Sequence, residues 1–265
     1  MSFFQDFAEK IRNFSAARGC VCDCCGAEVF FYPKERFCKA CKKAMTRNDQ
    51  KTCDKCGRAG ISDGVCLTCK SRMPKFDKGF SPFVYRGVAA AQINRVKTTK
   101  RRLSYYFAEN MAQTFIEHFL LSEEEKDGGR YATNENPLLI IPVPLSKKRR
   151  VERGYNQAED LAKIVCAELC KRGYFAEVDL EILEKLRDNA KQKEQGFAER
   201  IQNVQAVYHV RKRARCRERT VLLIDDVMTT GATGSVCAER IKKAGAREVF
   251  FLVGAALPER RNNDE

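Results

Sequence analysis

Eight cysteines of this 265-residue chain stand in four Cys-x-x-Cys pairs: Cys22 with Cys25, Cys38 with Cys41, Cys53 with Cys56, and Cys66 with Cys69. Each pair sets two thiolates on one tight turn, and two such turns supply the four sulfurs that zinc accepts in tetrahedral geometry. Gly26 and Gly57 follow the second cysteine of their pairs, where a missing Cβ lets the backbone turn around a metal. Zinc is the expected ligand, one ion or two, ahead of iron–sulfur, redox or unpaired thiols. The spacing leaves two pairings open: sequential quartets, or a crossed arrangement in which the first and third pairs share an ion. The expectation taken is sequential, Cys22, Cys25, Cys38, Cys41 and then Cys53, Cys56, Cys66, Cys69. A closed four-sulfur site has no open coordination position, so the zinc is expected to be structural. Cys20, Cys24, Cys166, Cys170, Cys216 and Cys237 are surplus, with Cys166 and Cys170 read as buried packing residues on a helix.

The second constellation is VLLIDDVMTTGATGS at 221–235, a buried-strand run into two carboxylates and then a Thr/Gly loop that opens a helix. Such a turn aims backbone N–H groups and the positive end of a helix at one point, and threonine hydroxyls add donors, which suits a phosphate dianion. Thr229, Thr230, Gly231, Ala232 and Thr233 are the expected phosphate ligands. Asp225 and Asp226 suit ribose hydroxyls or a magnesium ion just beyond the phosphate. The third is SKKRRVERGYNQ, where Lys147, Lys148, Arg149, Arg150 and Arg153 follow the strand-like LLIIPVP and offer charge-assisted bonds to a pyrophosphate. Ligands of open α/β sheets sit outside the carboxyl ends of the strands, so this loop and the Thr/Gly loop are expected to line one crevice. A further basic stretch, HVRKRARCRER at 209–219, makes Arg211, Lys212, Arg213 and Arg215 the expected footprint of single-stranded nucleic acid, with Tyr105, Tyr106, Phe107 and Tyr155 for stacking. The two histidines, His118 and His209, are read as structural.

The elements that must position these groups follow from periodicity. Phe80 to Tyr85 reads as a short strand or hairpin, and 89–121, free of Pro and Gly, as one long helix or two broken near Thr98. LLIIPVP begins the parallel sheet, Tyr155 to Arg172 is the next helix, VLLID and EVFFLVGAA are further strands, and Ser235 to Ala244 is a helix closed by Gly245. The Gln-rich segment 185–203 reads as loop and hairpin. The expected division is a lead segment at 1–19, a cysteine module at 20–72, an α/β domain at 73–258 and a charged tail at 259–265. MSFFQDFAEKIRNF lacks the apolar core of a signal peptide or membrane span, so a cytoplasmic protein with no membrane insertion is expected. A formal charge of +14 points to polyanionic partners, nucleic acid or phosphorylated small molecules.

The stretch from Val221 to Ser235 resembles the 5-phosphoribosyl-1-pyrophosphate (PRPP) motif of type I phosphoribosyltransferases. That resemblance implies that Asp225 and Asp226 hold the ribose 2′- and 3′-hydroxyls and that Thr229 to Thr233 bind the 5′-phosphate. The order of Cys-x-x-Cys pairs, Pro-Val-Pro-Leu, Arg-Gly-Tyr-Asn-Gln-Ala, a middle block of Gln192, Arg200, Asn203 and Val204, and Asp-Asp-Val-x-Thr-Thr-Gly-Ala-Thr is similar to the ComF family of competence-associated proteins. Tyr85, Gly87 and Lys100 loosely match that family upstream. The resemblance runs from about residue 20 to 256 and implies a Rossmann-like type I phosphoribosyltransferase fold behind a four-cysteine zinc ribbon, cytoplasmic, with a role in DNA uptake. It implies magnesium-PRPP as ligand, with Asp225 and Asp226 at the catalytic centre. Phosphoribosyl transfer to an unidentified acceptor, single-stranded DNA binding without turnover, and PRPP-regulated scaffolding with competence or DNA-processing proteins all remain open on sequence.

Overall fold

A computed structural model describes residues 20–30, 35–48, 51–61, 64–96, 103–120, 133–186 and 207–259. Leucine and β-branched runs form the strands, and all join one parallel sheet except a separate hairpin. The sheet holds β1 (Gly79–Phe80), β2 (Phe83–Val84), β3 (Leu138–Pro142), β4 (Ala176–Val178), β7 (Thr220–Met228) and β8 (Glu248–Ala256) in the order β1-β8-β7-β3-β4, with β2 also on β8. The hairpin is β5 (Leu183–Lys185) against β6 (Tyr208–Val210), antiparallel. The segment Phe80 to Tyr85 is therefore two short strands parallel to β8, not a hairpin, and the sheet begins well before LLIIPVP.

Strand parity sorts the core into two layers. Leu138, Ile140, Leu222, Ile224, Phe250 and Leu252 face α3 (Gly87–Val96), α4 (Leu103–Phe115) and α6 (Gln157–Lys171). Their sequence neighbours Leu139, Ile141, Val221, Leu223, Val249, Phe251 and Val253 face α8 (Ala232–Lys243) and the hairpin. A sheet covered on both faces needs apolar side chains at every position, which is why these strands read as continuous rather than alternating runs. Of the 89–121 stretch, read as one helix or two, the described residues form α3 and α4, the second running on through a π turn at Ile116–Leu120. That turn seats Phe119 with its ring centroid 4.1 Å from that of Phe250.

The cysteine segment closes the β1 edge of the sheet. Gly79 donates to the Lys55 carbonyl at 2.8 Å, and the Cβ that Gly57 lacks would lie 2.3 Å from the Gly79 oxygen. Asn48, buried, donates to the carbonyls of Gly57 (2.6 Å) and Ser81 (3.0 Å) and so ties the two strand starts to the module. An edge strand otherwise presents unpaired N–H and C=O groups to other chains. On the opposite edge, Glu177 of β4 accepts from Arg219 at 2.8 Å and pairs with Arg215 at 3.1 Å. Burial pushes the Glu177 carboxyl up, but the two guanidinium groups outweigh it and hold it below its usual 4.5. A depressed carboxylate contributes stability that is complete above 4.5 and lost as pH falls through the folded value. Glu177→Gln is accordingly expected to lower the urea midpoint at pH 7, with the gap to wild type closing toward pH 3.

Candidate functional site

The eight paired cysteines gather into two groups, Cys22, Cys25, Cys38, Cys41 and Cys53, Cys56, Cys66, Cys69, each with its sulfurs within 4.8 Å of one another. This is the sequential pairing. In each group the first pair sits on a hairpin knuckle, closed by Gly26 donating to the Cys22 carbonyl (3.0 Å) and Gly57 donating to the Cys53 carbonyl (2.8 Å). The second pair opens a short helix, α1 (Lys39–Ala44) or α2 (Leu67–Ser71), with the sulfur of Cys38 or Cys66 as its N-cap. The two units are a structural repeat of hairpin knuckle and capped helix.

The donor set fits zinc. A tetrahedron of ~2.3 Å Zn–S bonds separates its sulfurs by about 3.8 Å, and Cys25–Cys38 and Cys56–Cys66 stand at 3.7 Å. Burial pushes the Cys22 thiol up, but the backbone N–H groups of Cys25, Cys38 and Cys24 outweigh it and bring it down to about 6. Cys53 is held down at about 4 by its hydrogen bond with Cys56 and by the N–H groups of Cys66, Cys56 and Lys55. Cys56 moves up through the same bond with Cys53, and burial pushes Cys69 up to about 12. Four sulfurs this close cannot all ionise without a cation among them, and a dication removes that conflict.

The two units differ in where they pack. Cys22 and Cys41 join the layer of α3, α4 and α6, whereas Cys53, Cys56, Cys66 and Cys69 join the layer of α8 and the hairpin. All four sulfur-bearing residues of the second unit are buried, while Cys25 of the first is exposed. Among the surplus thiols, Cys216 and Cys237 are buried, Cys166 is half-buried and Cys170 is exposed, so Cys170 is not the buried packing residue the sequence reading made it.

The strand VLLID continues to Met228, which places Asp225 and Asp226 inside β7 rather than after it. Adjacent strand residues point to opposite faces. Asp226, buried, turns toward α6 and accepts from the Gln157 amide at 3.3 Å. Asp225 lies on the other side and shares a shallow concavity with Thr229, Thr230, Gly231, Ala232 and Thr233. Thr229, Thr230, Ala232 and Thr233 are exposed. Gly231 adopts φ 77° at the N-cap of α8, a left-handed conformation that costs glycine nothing. The helix thus starts at Ala232, three residues earlier than expected; the Ala232 N–H donates to Thr230 Oγ1 at 3.3 Å, and the first turn lines the concavity. Tyr208 at the start of β6 stands near Asp225 and Thr233, and its phenol is pushed up by burial first and by Cys237 and Asp225 next.

The basic stretch after β3 is not a loop. Ser146 accepts from the Arg149 N–H at 3.3 Å and Gly154 at φ 73° closes the turn, so Lys147–Arg153 form a short helix, α5. Arg150 reaches Glu159 at 2.5 Å and Arg153 reaches Gln157 at 3.3 Å, both turned toward α6. Lys147, Lys148 and Arg149 are exposed. Since β3 lies parallel to β7 with Pro142 opposite Ile224, α5 follows the same carboxyl end of the sheet as the Thr/Gly loop. The Tyr155 hydroxyl donates to the Val96 carbonyl and ties this turn to α3.

Arg211, Lys212, Arg213 and Arg215 surround the short helix α7 (Arg213–Cys216), and each has an internal partner. Arg211 faces Glu184 at 3.9 Å, Lys212 faces Glu181 at 2.8 Å and Asp179 at 3.5 Å, Arg215 faces Glu177 and Asp179, and Arg213 donates to the Lys243 carbonyl at 2.7 Å. Of the aromatic residues expected to stack on bases, Phe107 is buried, Tyr106 packs between Phe37 and Phe83, and only Tyr105 is exposed. Gln192, Arg200, Asn203, Val204 and Lys100 lie outside the described residues. Sequence reasoning passed over Gln157 as a site residue, although its Arg-Gly-Tyr-Asn-Gln block was noticed, and passed over Arg58, for which no local signal exists.

No family model matches the chain. The chain is 23% identical to competence protein ComFC of Bacillus subtilis over 231 residues, covering 83% of this chain and 85% of that protein. It is 25% identical to DNA utilization protein YhgH of Escherichia coli K12 over 214 residues, covering 80% and 87%. Competence protein F of Haemophilus influenzae is 25% identical over 221 residues, covering 82% and 88%. Among solved structures, HGPRT-ase from Leishmania tarentolae in complex with GMP overlaps 62% of this chain and 69% of its own, at 15% identity and a TM-score of 0.30. Trypanosoma cruzi hypoxanthine phosphoribosyl transferase overlaps 60% and 75%, at 13% identity and a TM-score of 0.36. The α/β class rests on the parallel strand order itself.

Proposed function

The chain belongs to the ComF family, and on that premise we propose that it binds magnesium-PRPP at the carboxyl end of β7 and serves competence and the handling of incoming DNA. The observation that carries this reading is the exposed Thr229–Thr233 turn: it starts a helix, holds its left-handed glycine, and shares its concavity with the Asp225 carboxylate. A helix N-terminus with converging N–H groups suits the 5′-phosphate, and a carboxylate beside it suits ribose hydroxyls. Lys147, Lys148 and Arg149 on α5 supply cations for the pyrophosphate. Magnesium would be carried in by the pyrophosphate, as that ion prefers phosphate oxygens and few protein ligands. No helix among the described residues is long and apolar enough to cross a membrane.

Transfer would form a bond from an acceptor lone pair to C1 of the ribose while the C1–O bond breaks and its electron pair leaves with pyrophosphate. The chain's part is to hold the donor in line and to stabilise charge on the departing group, which requires no protein nucleophile. The zinc units would shape the edge of the sheet rather than act on substrate.

Calorimetric titration of magnesium-PRPP into the zinc-loaded chain tests this directly. Saturable binding is expected, and Asp225→Asn is expected to weaken it by roughly ten- to a hundredfold, the loss of hydrogen bonds to a charged group costing about 1.5–3 kcal/mol. Asp225 is the better probe than Asp226, whose carboxylate is buried against Gln157. No saturable heat with magnesium-PRPP, together with salt-dependent binding of single-stranded DNA, would overturn the reading in favour of a nucleic-acid module.

A further inference from the structure

Arg58 is buried, and its guanidinium joins two groups that lie far apart in the chain. Its Nε donates to Cys56 Sγ at 3.3 Å, and its Nη2 donates to the Thr229 carbonyl at 3.0 Å across 171 residues of sequence. One arm of the fork therefore rests on the second thiolate quartet and the other on the first residue of the Thr/Gly turn. A peptide unit is planar and trans, so its C=O and the following N–H point in opposite directions. Drawing the Thr229 carbonyl toward Arg58 consequently turns the Thr230 N–H away from Arg58. Thr230 lines the concavity with Asp225, so this rotation sets the direction of the N–H of a lining residue.

Other links bind the same two regions. Leu257 donates to the Met228 carbonyl at 2.8 Å, Glu259 donates to the Ala59 carbonyl at 3.2 Å, and Glu259 accepts from the Leu67 N–H at 2.5 Å. The segment after β8 thus passes from the end of β7 to the second quartet. The first quartet packs against α3 through Arg95, which donates to the carbonyls of Asp23 and Cys24 at 3.0 and 3.3 Å, on the other face of the sheet.

We propose that Arg58 is a positioning residue that couples metal occupancy of the Cys53, Cys56, Cys66, Cys69 site to the conformation of the phosphate-binding turn. Thiolates held around a dication keep net negative charge on sulfur, and the guanidinium is fixed against it in a planar fork. Losing the metal would let Cys56 move, release the fork and free the Thr229 peptide to rotate. Linkage makes the effect reciprocal: a ligand that favours the ordered turn also favours the metal-loaded quartet. The part concerning ligand rests on the PRPP reading above, whereas the part concerning the turn does not.

The test uses the full zinc-loaded chain, wild type and the variants Arg58→Lys and Arg58→Gln, with zinc content measured for each. Lysine keeps the charge but has no second arm to reach sulfur and carbonyl together. Amide hydrogen exchange in Thr230 to Thr233 is expected to quicken about fivefold or more in both variants with zinc retained, the lower end of typical coupling, while β3 amides keep their rates. Wild-type exchange in that turn for both variants overturns the coupling. Loss of zinc from Arg58→Lys also overturns it, since Arg58 would then belong to the metal site rather than link it to the turn.

In a second arm, magnesium-PRPP is expected to slow zinc transfer to the chelator 4-(2-pyridylazo)resorcinol about fivefold or more in wild type and to have no such effect in Arg58→Lys. Equal slowing in both proteins contradicts a route through Arg58. If calorimetry shows no magnesium-PRPP binding to wild type, the PRPP reading fails, and the exchange arm alone decides the coupling.

Discussion

Replacing Cys66 with serine is expected to remove one zinc per chain and to lower the thermal midpoint far more than Cys25→Ser does. Structural Zn–S sites contribute about 10–16 kcal/mol of apparent binding energy in small zinc units, comparable with the roughly 5–15 kcal/mol of a whole domain. Cys66 is buried, caps α2, and accepts from the Cys69 N–H at 3.4 Å. Its quartet packs in the same layer as Phe76, Phe251 and Cys237, so losing the metal unpins the face of the sheet that carries α8. Cys25 is exposed at the rim of its quartet, and water can reach the vacated position. Metal analysis with differential scanning calorimetry on both variants checks the contrast; equal midpoints would show that the two units contribute alike.

The second large effect is expected at Gly57. It adopts φ 69°, and an added Cβ would meet the Gly79 oxygen at 2.3 Å and the Gly79 carbonyl carbon at 2.9 Å. Gly79 faces the same contact from the other side, its own missing Cβ lying 2.6 Å from the Cys56 oxygen. Both obstacles are backbone, so nothing flexible can move aside. Gly57→Ala therefore combines the left-handed strain of about 1–2 kcal/mol with overpacking of about 1–3 kcal/mol at the edge of the sheet. Gly26 has nearly the same backbone, φ 78°, but no atom of the described residues lies within 4 Å of its Cβ position. Gly26→Ala is expected to show the strain alone. Urea unfolding of the two variants separates the terms, and equal losses would mean that the β1 edge is free to shift.

What the residues determined by themselves is whatever neighbouring residues settle between them. Cys-x-x-Cys followed by glycine makes a knuckle, VLLID and EVFFLVGAA make buried strands, and Thr-Thr-Gly-Ala-Thr makes a turn into a helix, because dihedral preference and side-chain period act over a few residues. The strand at Glu248–Ala256 has the predicted bounds for that reason. Tertiary structure decided the rest. That β7 runs on to Met228 sets which face each aspartate takes, and so separates Asp225 in the concavity from Asp226 against Gln157. That β4 and the turn after it bring Glu177, Asp179 and Glu181 beside the 211–219 run gives Lys212, Arg215 and Arg219 ion-pair partners within the chain. Arg58 reaches the Thr229 carbonyl only through a contact between segments 171 residues apart. These depend on register and on contacts between distant segments, which no local pattern of residue types encodes.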